Sequence, residues 1–242
     1  MTFLQVALNG DRKHQAAPKS PGAIGDDAAE TVRAGAHAVH VHAYDSSGNE
    51  TLDAGECGAV VRAIRVRCPD VPISLTTSAT IISDPTRRLR TVQSWTELPD
   101  LVTANQGEDG IDELSEWLMA RGVGIEAGLL SPADARRFVT SALRNRCHRV
   151  LIEPLSADPV IALRDAAEME AIVLAAGLML PQVHHGYDGS YWAVVRRALE
   201  QGHGIRTGME DVVVLPDGRA AKNNRELVEA ARTLIASSVV RT

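Results

Sequence analysis

Short runs of β-branched and aliphatic residues alternate with longer segments of helical period along the whole of this 242-residue chain. We count eight of each, which predicts a parallel sheet because the intervening helix returns the chain to run beside the previous strand. The predicted strands are residues 3–8, 38–42, 72–76, 101–103, 123–127, 149–153, 180–184 and 205–210, and the clearest helices are residues 26–34, 54–67, 109–120, 132–146, 159–176, 191–201 and 223–236. Eight βα units in a chain of this length predict a single-domain (β/α)8 TIM barrel.

The alternative architecture is a doubly wound open sheet. Such sheets commonly place a GxGxxG phosphate-binding loop after the first strand, and the segment LNGDRKHQ lacks that pattern. Residues 1–242 contain no linker or low-complexity tract, so we expect one domain. Residues 11–24 carry two prolines and two lysines and predict a mobile loop, which on a barrel would overhang the face where active sites form.

The composition narrows the class of protein. The chain is 45% hydrophobic and 23% charged, which is typical of a globular domain. The formal charge of −6 is opposite to the charge that a phosphate backbone attracts, so nucleic acid is not an expected partner. No apolar run has the length of a membrane helix, and the start MTFLQVALNGD lacks the features of a signal peptide, so we expect a cytoplasmic protein. The three cysteines contain no CxxC pair, which argues against a disulfide framework or a thiolate zinc site.

Two histidines lie at the end of the second predicted strand, in AVHVHAYD. Because strand side chains alternate between faces, His40 and His42 share one face and Val41 points to the other. Two neutral imidazoles in this arrangement can converge on one divalent cation. They can equally be hydrogen-bonded polar residues at a barrel mouth.

The last predicted strand, in RTGMED, offers a third ligand. By the same alternation Arg206, Gly208 and Glu210 share a face, with Glu210 at the carboxyl end. Residues of alternate strands occupy one layer of a barrel, so Glu210 could complete a two-histidine, one-carboxylate site with an open position. The other interpretation is a buried ion-pair network of Arg206, Glu210 and Asp211.

Three segments carry a resemblance to a known family. They are AGAHAVHVHAYDSSGNETLD, CPDVPISLTT and RTGMEDVVVLPDGRAAKNNRELVE, which are similar to the AGA-x-x-x-H-x-H stretch, the third-strand region and the R-x-G-x-E-D segment with its N-x-E-L-V helix. The chain resembles a short, divergent member of the β-keto acid cleavage enzymes, zinc-dependent (β/α)8 enzymes that include the 3-keto-5-aminohexanoate cleavage enzyme. The resemblance implies condensation of a β-keto acid with acetyl-CoA to give acetoacetate and a new acyl-CoA, in a homo-oligomer.

The resemblance also implies roles for particular residues. It makes His40, His42 and Glu210 the Zn²⁺ ligands, and Asp211 the base that Arg206 orients. A base beside a cation and an arginine is expected to have a low pKa. The remaining implied site residues are Thr76 as a hydroxyl donor to developing oxyanions, Thr103 and Asn105 as the fourth-strand T-x-N, Glu126 as the acid closing the fifth strand, and Asp11 at a position where the family has glutamate.

Two departures from the family pattern leave CoA recognition open. Ser78-Ala79 stands where the family has two glycines, and LPQVHHGYDGSYWAVVRR replaces its G-R-x-Q pattern. His184 and His185 are new there: one could enter the metal site or contact substrate, or the two could be a hydrogen-bonded loop pair. The open alternatives are a metal-dependent hydrolase that uses His184 with His40 and His42, and a non-catalytic barrel that binds a small molecule.

Overall fold

The computed structural model describes residues 2–11 and 14–239. Its strands are β1 (Leu4–Ala7), β2 (Ala38–Val41), β3 (Ala43–Tyr44), β4 (Glu50–Thr51), β5 (Ile73–Thr76), β6 (Leu101–Asn105), β7 (Gly124–Leu129), β8 (Arg149–Ile152), β9 (Gln182–His184) and β10 (Gly204–Thr207). Its helices are α1 (Pro21–Ala34), α2 (Ala54–Arg67), α3 (Pro85–Gln93), α4 (Ile111–Met119), α5 (Pro132–Phe138), α6 (Pro159–Ala175), α7 (Tyr191–Glu200) and α8 (Asn224–Val239).

Eight of the described strands close into a parallel barrel in the order β1-β10-β9-β8-β7-β6-β5-β2. The first strand makes the closure, because Gln5 is in register with Ala38 of β2 on one side and with Arg206 of β10 on the other. The predicted TIM barrel is therefore confirmed, and the open-sheet alternative is wrong. The strands β3 and β4 form a separate antiparallel hairpin at the carboxyl end of β2.

The start of several helices follows from local sequence. Four helices have a proline in the first turn directly after a serine or aspartate whose side chain accepts a backbone N–H: Ser20-Pro21, Asp84-Pro85, Ser131-Pro132 and Asp158-Pro159. Because Ser20 caps α1, this helix begins at Pro21 and not at the predicted residue 26. Residues 21–24 of the predicted mobile loop are therefore helical. Residues 12 and 13 of that loop lie outside the described residues, and its mobility stays a prediction.

The predicted helix 132–146 is too long. α5 ends at Phe138, and a short 3₁₀ turn follows at Arg144–Arg146. The hydroxyl of Thr140 donates to the carbonyl of Arg137, and Ser141 donates to Asp112. Such side-chain hydrogen bonds compete with helix propagation, which the periodicity of the sequence does not reveal.

The two strands that precede the candidate metal ligands His42 and Glu210 end earlier than predicted. β2 ends at Val41, so His42 lies just beyond it, and β10 ends at Thr207 rather than at residue 210. Gly208 has a φ of +146°, and a Cβ there would lie 1.9 Å from the carbonyl oxygen of Ala7. The chain therefore turns at Gly208, and the N–H groups of Asp211 and Val212 both donate to its carbonyl. Strand alternation was the wrong reason for the position of Glu210.

The interior of the barrel is partly polar, whereas the apolar core packs the strands against the helices. Glu126 of β7 is fully buried in this interior. It accepts hydrogen bonds from Gln5 Nε2 at 2.9 Å and Ser74 Oγ at 2.5 Å, and Arg149 Nε lies 3.3 Å from it. Among the described residues, no helix is both long and apolar enough to cross a bilayer.

Candidate functional site

A cavity of about 390 Å³ opens at the carboxyl ends of the strands. Nine predicted site residues line it: Asp11, His40, His42, Thr76, Thr103, Asn105, Arg206, Glu210 and Asp211. A larger cavity of about 620 Å³ lies at the amino end of β10, next to Phe3 and Gly204, and none of the predicted site residues lines it. The chemistry is therefore concentrated at the barrel face where βα loops form active sites.

The structure brings the three candidate metal ligands together. Glu210 Oε2 lies 3.7 Å from His40 Nε2 and 3.6 Å from His42 Nε2. One ligand atom from each residue lies within 4.8 Å of the other two. Tetrahedral ligands about 2.1 Å from zinc lie roughly 3.4 Å apart, so these separations fit one ion with small adjustments. Two imidazoles and one carboxylate are also a donor set that suits zinc and leaves a position open.

His40 is fixed inside the barrel. It lies between Val39 and Val41, which belong to the apolar core, and its ring faces the polar interior. Its Nδ1 contacts the hydroxyls of Ser74 at 3.2 Å and Thr103 at 3.3 Å, so Nε2 is directed to Glu210. Burial, with the positive charge of Arg206, holds the pKa of His40 well below its ordinary value. A neutral imidazole is the form that binds a metal ion.

His42 is held at its backbone and at its ring. Its N–H donates to Asn9 Oδ1 at 2.9 Å, and its carbonyl accepts from Asn9 Nδ2 at 3.1 Å. The ring Nδ1 contacts the carboxylate of Glu50. Burial opposes the charged form, but Glu210 and Glu50 outweigh it and raise the pKa of His42 above its ordinary value.

The turn that carries Glu210 is held in place by residues that are far from it in the sequence, and this directs Glu210 toward the histidines. Asn224 at the start of α8 accepts the N–H of Met209 at 2.7 Å and donates to the carbonyl of Leu8. On the other side, Gly10 packs so closely that a Cβ there would lie 2.5 Å from Glu210 Cγ. Gly10 also has a φ of +69°, which favours glycine.

Arg206 and Asp211 form a buried pair beside the metal ligands. Arg206 donates to Asp211 through Nη2 at 2.6 Å and through Nε at 3.1 Å, and its Nη2 also lies 3.1 Å from Glu210 Oε1. Burial raises the pKa of Asp211 above its ordinary value, although Arg206 opposes this. The low pKa expected for Asp211 beside a bound cation stays a prediction. A raised pKa makes the carboxylate a stronger proton acceptor.

Asp211 has a second neighbour, His185. His185 Nδ1 lies 3.4 Å from Asp211 Oδ1, and its Nε2 lies 2.9 Å from Glu153 Oε2. Burial alone would raise the pKa of Glu153, but the nearby His185 and Arg206 outweigh this effect and lower the pKa to about 2. His185 also lines the cavity, so its ring lies beside the candidate base.

His184 takes a different direction from His185. Its ring stacks on His203 with centroids 4.5 Å apart, and its Nε2 contacts Gln182. It is fully buried and is not among the described residues that line the cavity. This position disfavours the hydrolase hypothesis, which needs His184 beside His40 and His42.

Residues of the barrel strands β5 and β6, and of the loops that follow them, form another wall of the cavity. Asn105 Nδ2 donates to Glu108 Oε1 at 3.0 Å, and the same oxygen accepts the N–H of Ala79 at 2.9 Å. Glu108 is paired at 3.2 Å with Arg88, whose side chain is buried. The loop at Ser78-Ala79 is thus tied to Asn105, and the N–H of Ala79 already has an acceptor.

Asp11 and Glu126 have different positions from the other predicted residues. Asp11 is exposed at the rim of the cavity. Glu126 is not among the residues that line the cavity; it lies in the barrel interior and reaches His40 only through Ser74 and Thr103. The structure does not bring Glu126 to the cavity surface, where it could touch substrate.

Two further carboxylates that were not predicted, those of Glu50 and Glu153, also line the cavity. Glu153 is the last residue of a predicted strand, a position that indicates the cavity face just as it does for His42. Glu50 follows the turn sequence DSSGN, which indicates a hairpin returning toward His42. Neither signal predicts which side chain the carboxylate contacts.

The chain matches known proteins along most of its length. A family model for the beta-keto acid cleavage enzyme matches residues 2–240. A 3-keto-5-aminohexanoate cleavage enzyme from Fusobacterium nucleatum subsp. nucleatum is 26% identical over 234 residues, which cover 88% of this chain and 82% of the relative.

Solved structures support the fold. The apo structure of ObcA superposes with a TM-score of 0.74 at 18% identity, over 92% of this chain and 62% of ObcA, so the chain spans less than two thirds of that protein. A type I 3-dehydroquinate dehydratase from Clostridium difficile gives a TM-score of 0.60 at 16% identity, over 98% of this chain and 93% of the other. The family model covers nearly the whole chain, and the chain therefore belongs to the β-keto acid cleavage enzyme family.

Proposed function

We propose that this protein is a zinc-dependent β-keto acid cleavage enzyme that uses acetyl-CoA as co-substrate. The observation that supports it best is the convergence of His40, His42 and Glu210 beside the buried pair of Arg206 and Asp211. Metal ligands and a carboxylate base in one cavity are what proton abstraction next to a polarised ketone requires. The acetyl-CoA reaction, a homo-oligomeric assembly and a cytoplasmic location are inferred from the family resemblance and the composition.

The three ligands would hold zinc, which when bound supplies Lewis-acid polarisation of the substrate ketone. Asp211 accepts the proton from the carbon between the ketone and the carboxylate, at Oδ1 or Oδ2. Arg206 holds the carboxylate of Asp211 in place through two hydrogen bonds. Thr76, together with Thr103 and Asn105 on the same wall, provides polar contacts to substrate oxygens as negative charge develops.

The overall reaction then balances without a redox cofactor. A bond forms between the deprotonated carbon and the thioester carbonyl carbon of acetyl-CoA, and CoA moves to the original keto carbon. Cleavage of the bond between that keto carbon and the deprotonated carbon releases the new acyl-CoA, and the proton held by Asp211 returns to the deprotonated carbon to give acetoacetate.

The described lining of the cavity carries little positive charge for a co-substrate that bears phosphates. Among the described residues that line the cavity, Arg206 is the only arginine or lysine, and it contacts Asp211, Glu210 and Glu153.

The proposal is tested with protein purified without chelator. We expect about one zinc per chain by elemental analysis. Incubation with acetyl-CoA and a panel of β-keto acids of different chain length and polarity should form equal amounts of acetoacetate and a new acyl-CoA, measured by mass spectrometry. The metal-stripped protein is the control. Binding of keto acids with no turnover, in zinc-loaded protein with any of several acyl-CoA donors, would instead support the non-catalytic barrel.

A further inference from the structure

The hairpin that follows His42 brings one carboxylate to that ligand. In the hairpin, Ala43 is in register with Thr51 and Tyr44 with Glu50. Asp45 closes the connecting turn, because its Oδ1 accepts the N–H groups of Ser47 at 2.8 Å and Asn49 at 3.0 Å. The chain thus reverses within a few residues of a candidate metal ligand and returns a glutamate to it.

Glu50 occupies the side of the His42 ring that faces away from the metal position. Its carboxylate contacts Nδ1, whereas Nε2 of the same ring lies 3.6 Å from Glu210 Oε2. The side chain of His42 is 10% exposed and that of Glu50 is 17% exposed, so little water competes for this contact. Asn9 already holds the His42 backbone at both its N–H and its carbonyl. Glu50 removes the remaining freedom, which is rotation of the ring.

The two histidines have different partners on Nδ1. His40 contacts the neutral hydroxyls of Ser74 and Thr103. His42 contacts a carboxylate directly. A carboxylate that accepts the Nδ1 proton of a ligating histidine fixes its tautomer and makes Nε2 a stronger donor to the metal, and loss of such a partner typically costs 10- to 100-fold in metal affinity.

We propose that Glu50 is a positioning residue that keeps the proton of His42 on Nδ1, orients Nε2 toward Glu210 and strengthens zinc binding. This inference rests on the zinc site of the proposed function. It does not depend on the identity of the keto acid or on the use of acetyl-CoA.

The test compares zinc affinity in two charge-matched variants. Glu50→Gln removes the carboxylate that contacts His42, and Asp45→Asn removes a carboxylate from the turn of the same hairpin while keeping an oxygen that can accept its N–H groups. Affinity is measured at one pH by competition with a chromophoric chelator, without substrate. We expect Glu50→Gln to weaken zinc binding 10- to 100-fold and Asp45→Asn to change it less than 2-fold.

A spectroscopic measurement separates positioning from a general loss of structure. The d–d absorption of Co²⁺-loaded protein reports the ligand geometry, and we expect it to change in Glu50→Gln and not in Asp45→Asn. Wild-type affinity and spectrum in Glu50→Gln would overturn the inference, as would an equal loss of affinity in both variants. If the wild type binds zinc but forms no acetoacetate, the proposed reaction fails and the role of Glu50 stands.

Discussion

Asp27 offers a test of the network that positions Glu210. Its Oδ2 accepts a hydrogen bond of 2.6 Å from Asn224 Nδ2, and Asn224 also accepts the N–H of Met209, next to Glu210. Burial, with a smaller contribution from Glu30, raises the pKa of Asp27 from 3.8 to about 6, although Asn224 opposes this. An acid whose pKa is higher in the folded state destabilises the protein when it ionises.

The magnitude follows from that pKa. Below pH 3.8 Asp27 is protonated in both states and has no effect; its cost grows as the pH rises to about 6 and is constant above that. Since one pKa unit corresponds to about 1.4 kcal/mol, the full cost is at most about 3 kcal/mol. Asp27 is partly exposed, so we expect about 1 to 2 kcal/mol after solvent screening.

The perturbation is Asp27→Asn, which keeps an oxygen to accept from Asn224 and cannot ionise. We expect its free energy of unfolding to equal that of the wild type near pH 4 and to exceed it by about 1 to 2 kcal/mol at pH 7.5. Urea unfolding at several pH values measures this difference. Asp26→Asn is the matched control, because Asp26 has a 71% exposed side chain and pairs with Arg67 at the surface; it should lose less than about 1 kcal/mol. A gain that is the same at pH 4 and 7.5, or no gain at pH 7.5, would show that ionisation of Asp27 does not destabilise the folded state.

Four further substitutions and one control test the site itself. Asp211→Asn should keep zinc and lower kcat by 10²- to 10⁴-fold, measured by acetoacetate formation; full activity would exclude Asp211 as the base. His42→Ala or Glu210→Ala should lose bound zinc and activity together, as shown by elemental analysis, and retention of stoichiometric zinc would contradict the ligand assignment. Gly10→Ala should weaken zinc binding because its Cβ would displace Glu210, whereas Gly122→Ala, with a φ of +79° and open space around it, should lose only about 1 kcal/mol of stability and keep its zinc affinity.

The fold was predictable because its signals are local. Strand and helix periods repeat through the chain, and Ser-Pro and Asp-Pro pairs mark where helices begin. The HxH spacing likewise places His40 and His42 near one face at the end of β2. Family resemblance, rather than periodicity, supplied the roles of Arg206 and Asp211.

The position of Glu210 depended on contacts that no local pattern contains. It was predicted from strand alternation, but the turn at Gly208, the close approach of Gly10 and the hydrogen bonds of Asn224 place it. Glu126 shows the converse: the family resemblance put it at the end of the fifth strand, but that strand continues to Leu129 and leaves Glu126 below the cavity.

The barrel and nine of the residues that line its carboxyl end were thus predictable from the sequence. Only the tertiary structure decided which carboxylate contacts which imidazole: Glu50 with His42, and Glu153 with His185. The reason is physical. Secondary structure follows from the period of each segment, whereas the partner of a buried polar group depends on atoms far apart in the chain that closure of the barrel brings within hydrogen-bond distance.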